Sequence, residues 1–387
     1  MFKHNLAKAI VVAMVATALT ACGGNAPTQK EGSNTASAST SVSSDKLETK
    51  FVTVATGGAS GPYNIIATSL TEQYAKQFGV NAKTQTTGAS VENLNLLAQK
   101  KVEMAFVMSD ALSDAINGTG SFKQKIDNVE QVAALYPNYV QIVASSKSGI
   151  KTIADLKGKR VAVGAQGSGV ELATRALLEG FGITYNDIKV DYLGYAEAAD
   201  ALKSGKLDVA FLTSGLPNSS LMELQQGFDL QLVSIPADKL NEIAKSKTYF
   251  TAMSIPKGTY GNAEDIPTAA IMNALVVRKD LSENDVYLLT KSLFDNLEGL
   301  KTSHQAVKDI SVENAQENLV APLHAGAKRY FDEVAKAGNK PADDTAPADQ
   351  ASEKSADDKA PANQATEQLA STDKPAEKTE EKSAPAK

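Results

Sequence analysis

Apolar positions along the chain fall into short strand-like runs that alternate with helically spaced stretches, and the alternation is written twice. The first unit opens on Phe51-Val-Thr-Val-Ala55 and passes through Gly57-Gly-Ala-Ser-Gly61. It continues into a stretch where Ile65, Ile66, Leu70 and Tyr74 recur at helical spacing, and it closes with Glu92-Asn-Leu-Asn-Leu-Leu-Ala-Gln-Lys-Lys-Val-Glu-Met-Ala-Phe106. The second unit opens on Arg160-Val-Ala-Val163 and passes through Gly164-Ala-Gln-Gly-Ser-Gly169 into another helical stretch. It closes with Glu197-Ala-Ala-Asp-Ala-Leu-Lys-Ser-Gly-Lys-Leu-Asp-Val-Ala-Phe211. Val54 to Phe106 is 52 residues and Val163 to Phe211 is 48, so the units match in length. The pattern predicts an α/β fold of two similar lobes, each opening with a glycine-rich turn into a helix. Such lobes face one ligand across a cleft that captures by closing.

The same periodicity predicts the individual elements. Pro62 suits the first turn of a helix running to Phe78, where its missing N–H is no loss. A strand over Val80–Gln85 leads to a second helix with Ser90 as N-cap. A buried strand over Met104–Met108 delivers Ser109 and Asp110, and Asp110 is expected to cap a helix beginning at Ala111. Two short apolar runs around Tyr136-Pro-Asn-Tyr139, within Val132–Ala144, read as the first crossing between lobes. Ile153–Arg160 is a helix-and-turn lead into the Val161 strand, and Ser168 with Glu171 spells a capping box. Further strands are expected over Ile188–Tyr192, Val209–Leu212 and Leu230–Ile235, the second of these delivering Thr213, Ser214 and Gly215. The return crossing is expected over Tyr249–Ile255, after which Ala270–Arg278 and helices from Asp285 to Lys336 complete the first lobe. Lobe one is thus residues 48–141 with 250–337, and lobe two is residues 142–249.

The ends of the chain are of another character. Lys3 and Lys8 precede an apolar run over Ala9–Leu19 that is short for a bilayer span. Residues 1–22 therefore read as an export signal, and Leu19-Thr-Ala-Cys-Gly23 resembles a bacterial lipoprotein box, in which Cys22 is lipidated and becomes the mature N-terminus. Cys22 is the single cysteine, so no internal disulfide is possible. The expected protein is exported to the periplasm or cell surface and held on a membrane by its lipid, without spanning it. Residues 23–47 are rich in Ser, Thr, Ala and Gly and read as a flexible tether. Residues 338–387 form an Ala/Pro/Lys/Glu-rich tail whose composition predicts disorder. From Lys340 onward it holds 7 lysines and 11 carboxylates, so of the chain's net charge of −6 only −2 remains for the rest. The acidity therefore says little about the ligand.

Several function classes drop out. No run in the middle is long and apolar enough for a transmembrane helix, and no basic patch interleaves with aromatics as nucleic-acid binding requires. His4 lies in the export signal, while His304 and His324 lie away from the glycine-rich turns, so no histidine is placed as a catalytic base. No His/Asp/Glu set has metal-ligand spacing, and no cofactor is expected. The expectation is a binding protein rather than an enzyme. Asp110 beside Ser109 leaves a dehydratase-like reading, and the tether and tail leave a sensor or adhesin reading.

Six segments in order carry a family resemblance: Thr56-Gly-Gly-x-x-Gly-x-Tyr63, Thr87-Gly-Ala-Ser-Val-Glu-Asn-Leu94, Ala105-Phe-Val-x-x-Asp110, Ile153-x-Asp-Leu-x-Gly-Lys-Arg-Val161, Gly167-Ser-Gly-x-Glu171 and Asp208-x-Ala-Phe-x-x-x-Gly215. With these, Phe51–Glu333 resembles the TAXI-type solute-binding proteins of tripartite ATP-independent periplasmic (TRAP) transporters. The resemblance implies a periplasmic-binding-protein fold with two hinge-crossing strands and an ion-gradient-driven membrane permease as partner. It also implies a small carboxylate or amino-acid ligand such as glutamate, glutamine or 2-oxoglutarate.

Physical logic agrees with an acidic ligand. Glycine- and serine-rich turns at helix starts present free backbone N–H groups and the positive helix end. The candidate ligand-binding residues are Gly58, Ser60 and Tyr63 from the first turn, with Ser90 and Ser109 from the same lobe. From lobe two they are Gln166, Gly167, Ser168, Gly169 and Ser214. Small residues allow close backbone approach, and serine hydroxyls both donate and accept. No arginine sits within these glycine- and serine-rich turns, since Arg175 lies on a helix as a solvated charge, so no bidentate arginine clamp is expected.

Overall fold

In the first half of the molecule, apolar runs become parallel strands and the helically spaced stretches cover them. The computed structural model describes residues 45–338; the segments expected to form the export signal with Cys22, most of the tether and the tail lie outside them. The first half contains β1 (Phe51–Ala55), α1 (Pro62–Phe78), β2 (Asn81–Gln85), α2 (Ser90–Ala98), β3 (Met104–Met108) and α3 (Ser109–Asn117). A long strand, β4 (Val129–Ser145), follows. The second half repeats the motif as β5 (Arg160–Ala162), α4 (Gly169–Gly180), β6 (Lys189–Asp191), α5 (Tyr195–Lys203), β7 (Val209–Ser214) and α6 (Ser219–Leu224). It then adds β8 (Leu230–Val233), α7 (Ala237–Ala244) and β9 (Thr251–Ile255), and a second long strand, β10 (Ile266–Arg278), returns. The chain closes with α8 (Glu283–Asp295), α9 (Leu297–Lys301) and α10 (Ala325–Gly338).

The strand order, β2-β1-β3-β10-β4-β7-β5-β6, shows the duplication. β1 lies parallel to β2 and β3, and β5 lies parallel to β6 and β7. Strands flanked on both sides and covered on both faces read as continuous apolar runs, which is why all five residues of β3 and all six of β7 are buried. The edge strands β2 and β6 are short and polar, which discourages pairing with other chains. Each half has its own core. One is built on Ile66, Leu70, Tyr74, Phe106, Leu275 and Phe331, and the other on Ile142, Val163, Leu177, Phe211 and Ile235.

The two long strands join the halves. β4 pairs with β10 up to Tyr139, and from Tyr139 to Ala144 it pairs with β7. β10 pairs with β9 over Ile266–Ala270, then with β3 over Asn273–Val277. The first crossing is thus one 17-residue strand rather than two short runs. The return differs from expectation, because Thr251–Ile255 is not the crossing. It is β9, a largely exposed strand hydrogen-bonded only along the start of β10. The crossing is β10 itself, whose buried apolar positions run on either side of the passage.

Helix starts also depart from expectation at two places. The residue before α2 is Ala89, and Ser90 occupies the first helical position, its Oγ accepting from Met108 N at 3.1 Å instead of capping. α3 begins at Ser109, so Asp110 lies inside its first turn and accepts from the adjacent Ala111 N at 2.7 Å.

The cleft between the halves as candidate ligand site

Four helices begin at one place. The N-terminal residues of α1 (Gly61, Pro62), α2 (Ala89, Ser90), α4 (Gly169, Val170) and α5 (Tyr195) border a common cavity between the halves. Gly57, Gly58, Tyr63, Met108, Asn138, Thr213 and Ser214 complete its wall. The cavity is about 30 Å3, room for little more than a water or two, so the cleft is closed as it stands. None of the lining residues carries a charged side chain. Its polar side chains are hydroxyls and one amide, and the positive ends of the bordering helices add a field that favours an anion or a strongly polar neutral group.

The turns are held in place from behind. Asn93, wholly buried on α2, donates from Nδ2 to Thr56 O at 2.6 Å and to Phe106 O at 2.8 Å. Its Oδ1 accepts from the Thr87 hydroxyl at 2.6 Å. One amide thus ties together the ends of β1 and β3 and the turn after β2. Ala89, in that last turn, has φ 72° and ψ −143°, a region that side chains disfavour. Asn93 and Thr87 hold this turn in that conformation at the cavity wall. Asn93 lies within the Thr87–Leu94 segment, where neither its residue type nor its spacing marks it as the anchor of these turns.

A polar chain runs along the hinge strands. Tyr63 donates its hydroxyl to Asn273 Oδ1 in a short hydrogen bond, and Asn138 Nδ2 donates to the same oxygen at 2.7 Å. Asn273 Nδ2 donates to Tyr136 O at 2.9 Å, which orients both amides. Burial pushes the Tyr63, Tyr136 and Tyr195 phenols above their ordinary range, so all three stay neutral donors.

The ten expected site residues divide into groups. Gly58, Tyr63, Ser90, Gly169 and Ser214 line the cavity. The Ser214 hydroxyl, however, is already engaged, accepting from Gln141 Nε2 at 2.9 Å and Asn218 Nδ2 at 3.1 Å and donating to Gly215 O at 3.1 Å. Ser60, Ser109, Gln166, Gly167 and Ser168 are not in the cavity wall. Ser168 caps α4 by accepting from Glu171 N at 3.1 Å. Only half of the expected capping box forms, because the Glu171 carboxylate turns to Arg175 at 2.6 Å. Arg175 also stacks 4.1 Å from the centre of the Tyr185 ring and offers no clamp to the cleft. Gly167 (φ 70°) lets the turn before α4 reverse tightly, facing Val91 of the first half.

Ser60 closes the cleft rather than lining it. Its carbonyl accepts from Ser219 Oγ at 2.6 Å, and its hydroxyl accepts from Ser220 Oγ at 3.1 Å, joining the first half to α6 of the second. Ser219→Ala removes one such tie, worth about 0.5–1.5 kcal/mol. Ligand affinity is expected to fall by about 2- to 10-fold with the melting temperature of the ligand-free protein unchanged, measurable by calorimetric titration.

A family model described as NMT1-like matches residues 54–334, which spans both halves and every wall of the cleft. The chain belongs to the NMT1-like family. Among curated relatives, this NMT1-like chain is 33% identical over 99 residues to a protein of Escherichia coli (strain K12) named as an aliphatic sulfonates-binding protein. That match covers 24% of this chain and 31% of the relative, so the chain aligns with under a third of that protein's length. Among solved structures, a protein of Bordetella bronchiseptica RB50 is 16% identical, with a TM-score of 0.49, covering 75% of this chain and 99% of that one. The alkanesulfonate-binding protein of Xanthomonas axonopodis pv. citri, solved with MOPS, is 16% identical, with a TM-score of 0.39, covering 74% of this chain and 84% of that one. The described residues of this NMT1-like chain form two similar α/β halves joined by the long strands β4 and β10. No described helix is long and apolar enough to cross a membrane, and the described residues hold no cluster of three metal-ligating side chains.

Proposed function

We propose that the protein is an extracytoplasmic solute receptor that closes on a small carboxylate and delivers it to a TRAP-type permease driven by an ion gradient. The observation that carries this reading is the convergence of four helix N-termini on one cavity without a charged side chain. Each helix end favours an anion by about 0.3–1 kcal/mol when exposed, and by more once closure excludes water. Glutamate, glutamine and 2-oxoglutarate are the leading ligands, in keeping with the resemblance to TAXI-type proteins. Cys22, lipidated, would hold the receptor at a membrane, with the tether giving it reach. Closing and opening of the cleft would leave the ligand chemically intact, as a receptor requires.

A second reading shares the cradle but changes the acid. The partial similarity to the sulfonates-binding protein of Escherichia coli favours an alkanesulfonate in the same place. A dye-based thermal-shift screen of protein lacking residues 1–22 separates the two. A ligand at 100 times its dissociation constant adds about 2.7 kcal/mol of stability, or a few degrees. A saturable shift with a carboxylate, recovered unaltered by mass spectrometry, supports the first reading. A shift with methanesulfonate or taurine alone replaces it with the second.

A further inference from the structure

Two cavity-lining residues carry a buried polar atom with no hydrogen-bond partner, Asn138 Oδ1 and Thr213 Oγ1, and the Tyr136 hydroxyl behind the wall is a third. Their residues are 3%, 1% and 0% exposed. Asn138 and Thr213 line the cavity, and the Tyr136 phenol interacts electrostatically with those of Tyr63 and Tyr195, which also line it. Protein interiors rarely leave such atoms unmet, and those that persist ask for an explanation.

The Asn138 amide cannot be turned round to escape the problem. Its Nδ2 donates to Asn273 Oδ1, and that oxygen cannot exchange places with its own nitrogen because Asn273 Nδ2 donates to Tyr136 O. Asn138 Oδ1 is therefore left as a pure acceptor, and only a donor can satisfy it. A carboxylate or carbonyl oxygen placed there would be repelled. The helix N-termini on the cavity supply donors alone, so the two kinds of wall ask for opposite ends of a ligand.

We propose that Asn138 Oδ1 forms an acceptor subsite, to which the Thr213 hydroxyl can add a second acceptor, and that it selects ligands carrying an O–H or N–H donor beside their acidic group. Resting on the small-acid reading above, it narrows the ligands to hydroxy acids, amino acids and acid amides, against oxo acids and plain dicarboxylates. Asn138 is a specificity residue, placed by the hinge strand β4 and oriented by β10. Neither its residue type nor its spacing distinguishes it in the sequence.

The test uses matched probes on the soluble protein by thermal shift and calorimetric titration: 2-hydroxyglutarate against 2-oxoglutarate, malate against succinate, and glutamine against glutarate. Neutral amides and polyols are included. The donor-bearing member of the best pair should bind at least about 10-fold more tightly. In Asn138→Leu that preference should collapse to within about 3-fold. Thr213→Val deletes an oxygen that bonds nothing in the protein, so it folds even where Asn138→Leu does not, and it should weaken the donor-bearing ligand by about 5-fold or more. Equal binding of both members in the unaltered protein overturns the proposal, as does a preference that survives both substitutions. Binding of neutral donor compounds without any acid would overturn the small-acid reading and keep the donor requirement. No binding by any compound overturns both.

Discussion

Asp110→Asn is expected to stabilise the protein at neutral pH. Asp110 is 5% exposed in the first turn of α3, and burial raises its pKa from 3.8 to about 7. Its near neighbours do little to help. The adjacent Ala111 N–H lowers the pKa, but Asp114 on the same helix raises it. Tyr249 from the second half and Tyr63 from α1 also interact with the carboxyl. Because the folded pKa lies above the unfolded one, folding holds the proton more tightly. The carboxyl's burial is therefore without penalty below about pH 4, and stability is lost as pH rises from there to about 7. A shift of this size corresponds to something on the order of 4 kcal/mol. Asparagine keeps the acceptor for Ala111 N and never ionises, so the gain should be near zero at pH 4 and largest above pH 7. Urea denaturation at several pH values checks this. An Asn variant no more stable than the unaltered protein at pH 7.5 would mean that Asp110 has a partner when the protein is folded.

Gly169→Val is expected to weaken ligand binding while leaving the fold in place. A Cβ at Gly169 would lie 2.5 Å from Met108 Sδ and 2.9 Å from Ser90 Oγ, and both of those atoms belong to the opposite half. The backbone there is ordinary first-turn helix, so the open protein accepts a side chain and only closure suffers. Overpacking of this kind costs about 1–3 kcal/mol. Since closure is what the ligand stabilises, the cost transfers to affinity as about a 5- to 150-fold loss. Calorimetric titration with the best ligand of the screen, together with the ligand-free melting temperature, reads both quantities. Affinity within 2-fold of the unaltered protein would mean that the halves close along another path.

The two predictions differ in how visible their residues were. Gly169 stands in a glycine-rich turn before a helix, a local pattern with a local cause. Asp110 is legible as a residue at a strand end but not as one inside a helix, because α3 starts two residues before the expected Ala111 and takes the carboxyl into its first turn. Serines were overvalued for a related reason. A serine near a helix start is chemically able to meet a ligand, yet Ser168 satisfies α4, Ser214 is engaged by Gln141 and Asn218, and Ser60 ties the halves together. Which hydroxyl remains available depends on partners up to 160 residues away in the chain.

By itself the sequence determined the duplicated α/β halves, the strands β1, β3, β5 and β7, the helix α1 from its Pro62 start, and the turns that meet at the cleft. These follow from periodicity and backbone conformation, which are properties of neighbouring residues. Only the tertiary structure decided that β10 rather than β9 makes the return crossing, because pairing register is a relation between distant strands. It alone also decided that Asn93 holds the turns and that Asn138 lines the cavity while its Oδ1 has no partner. An asparagine looks the same in any sequence, and its role is set by which of its four hydrogen-bonding positions the folded chain leaves open.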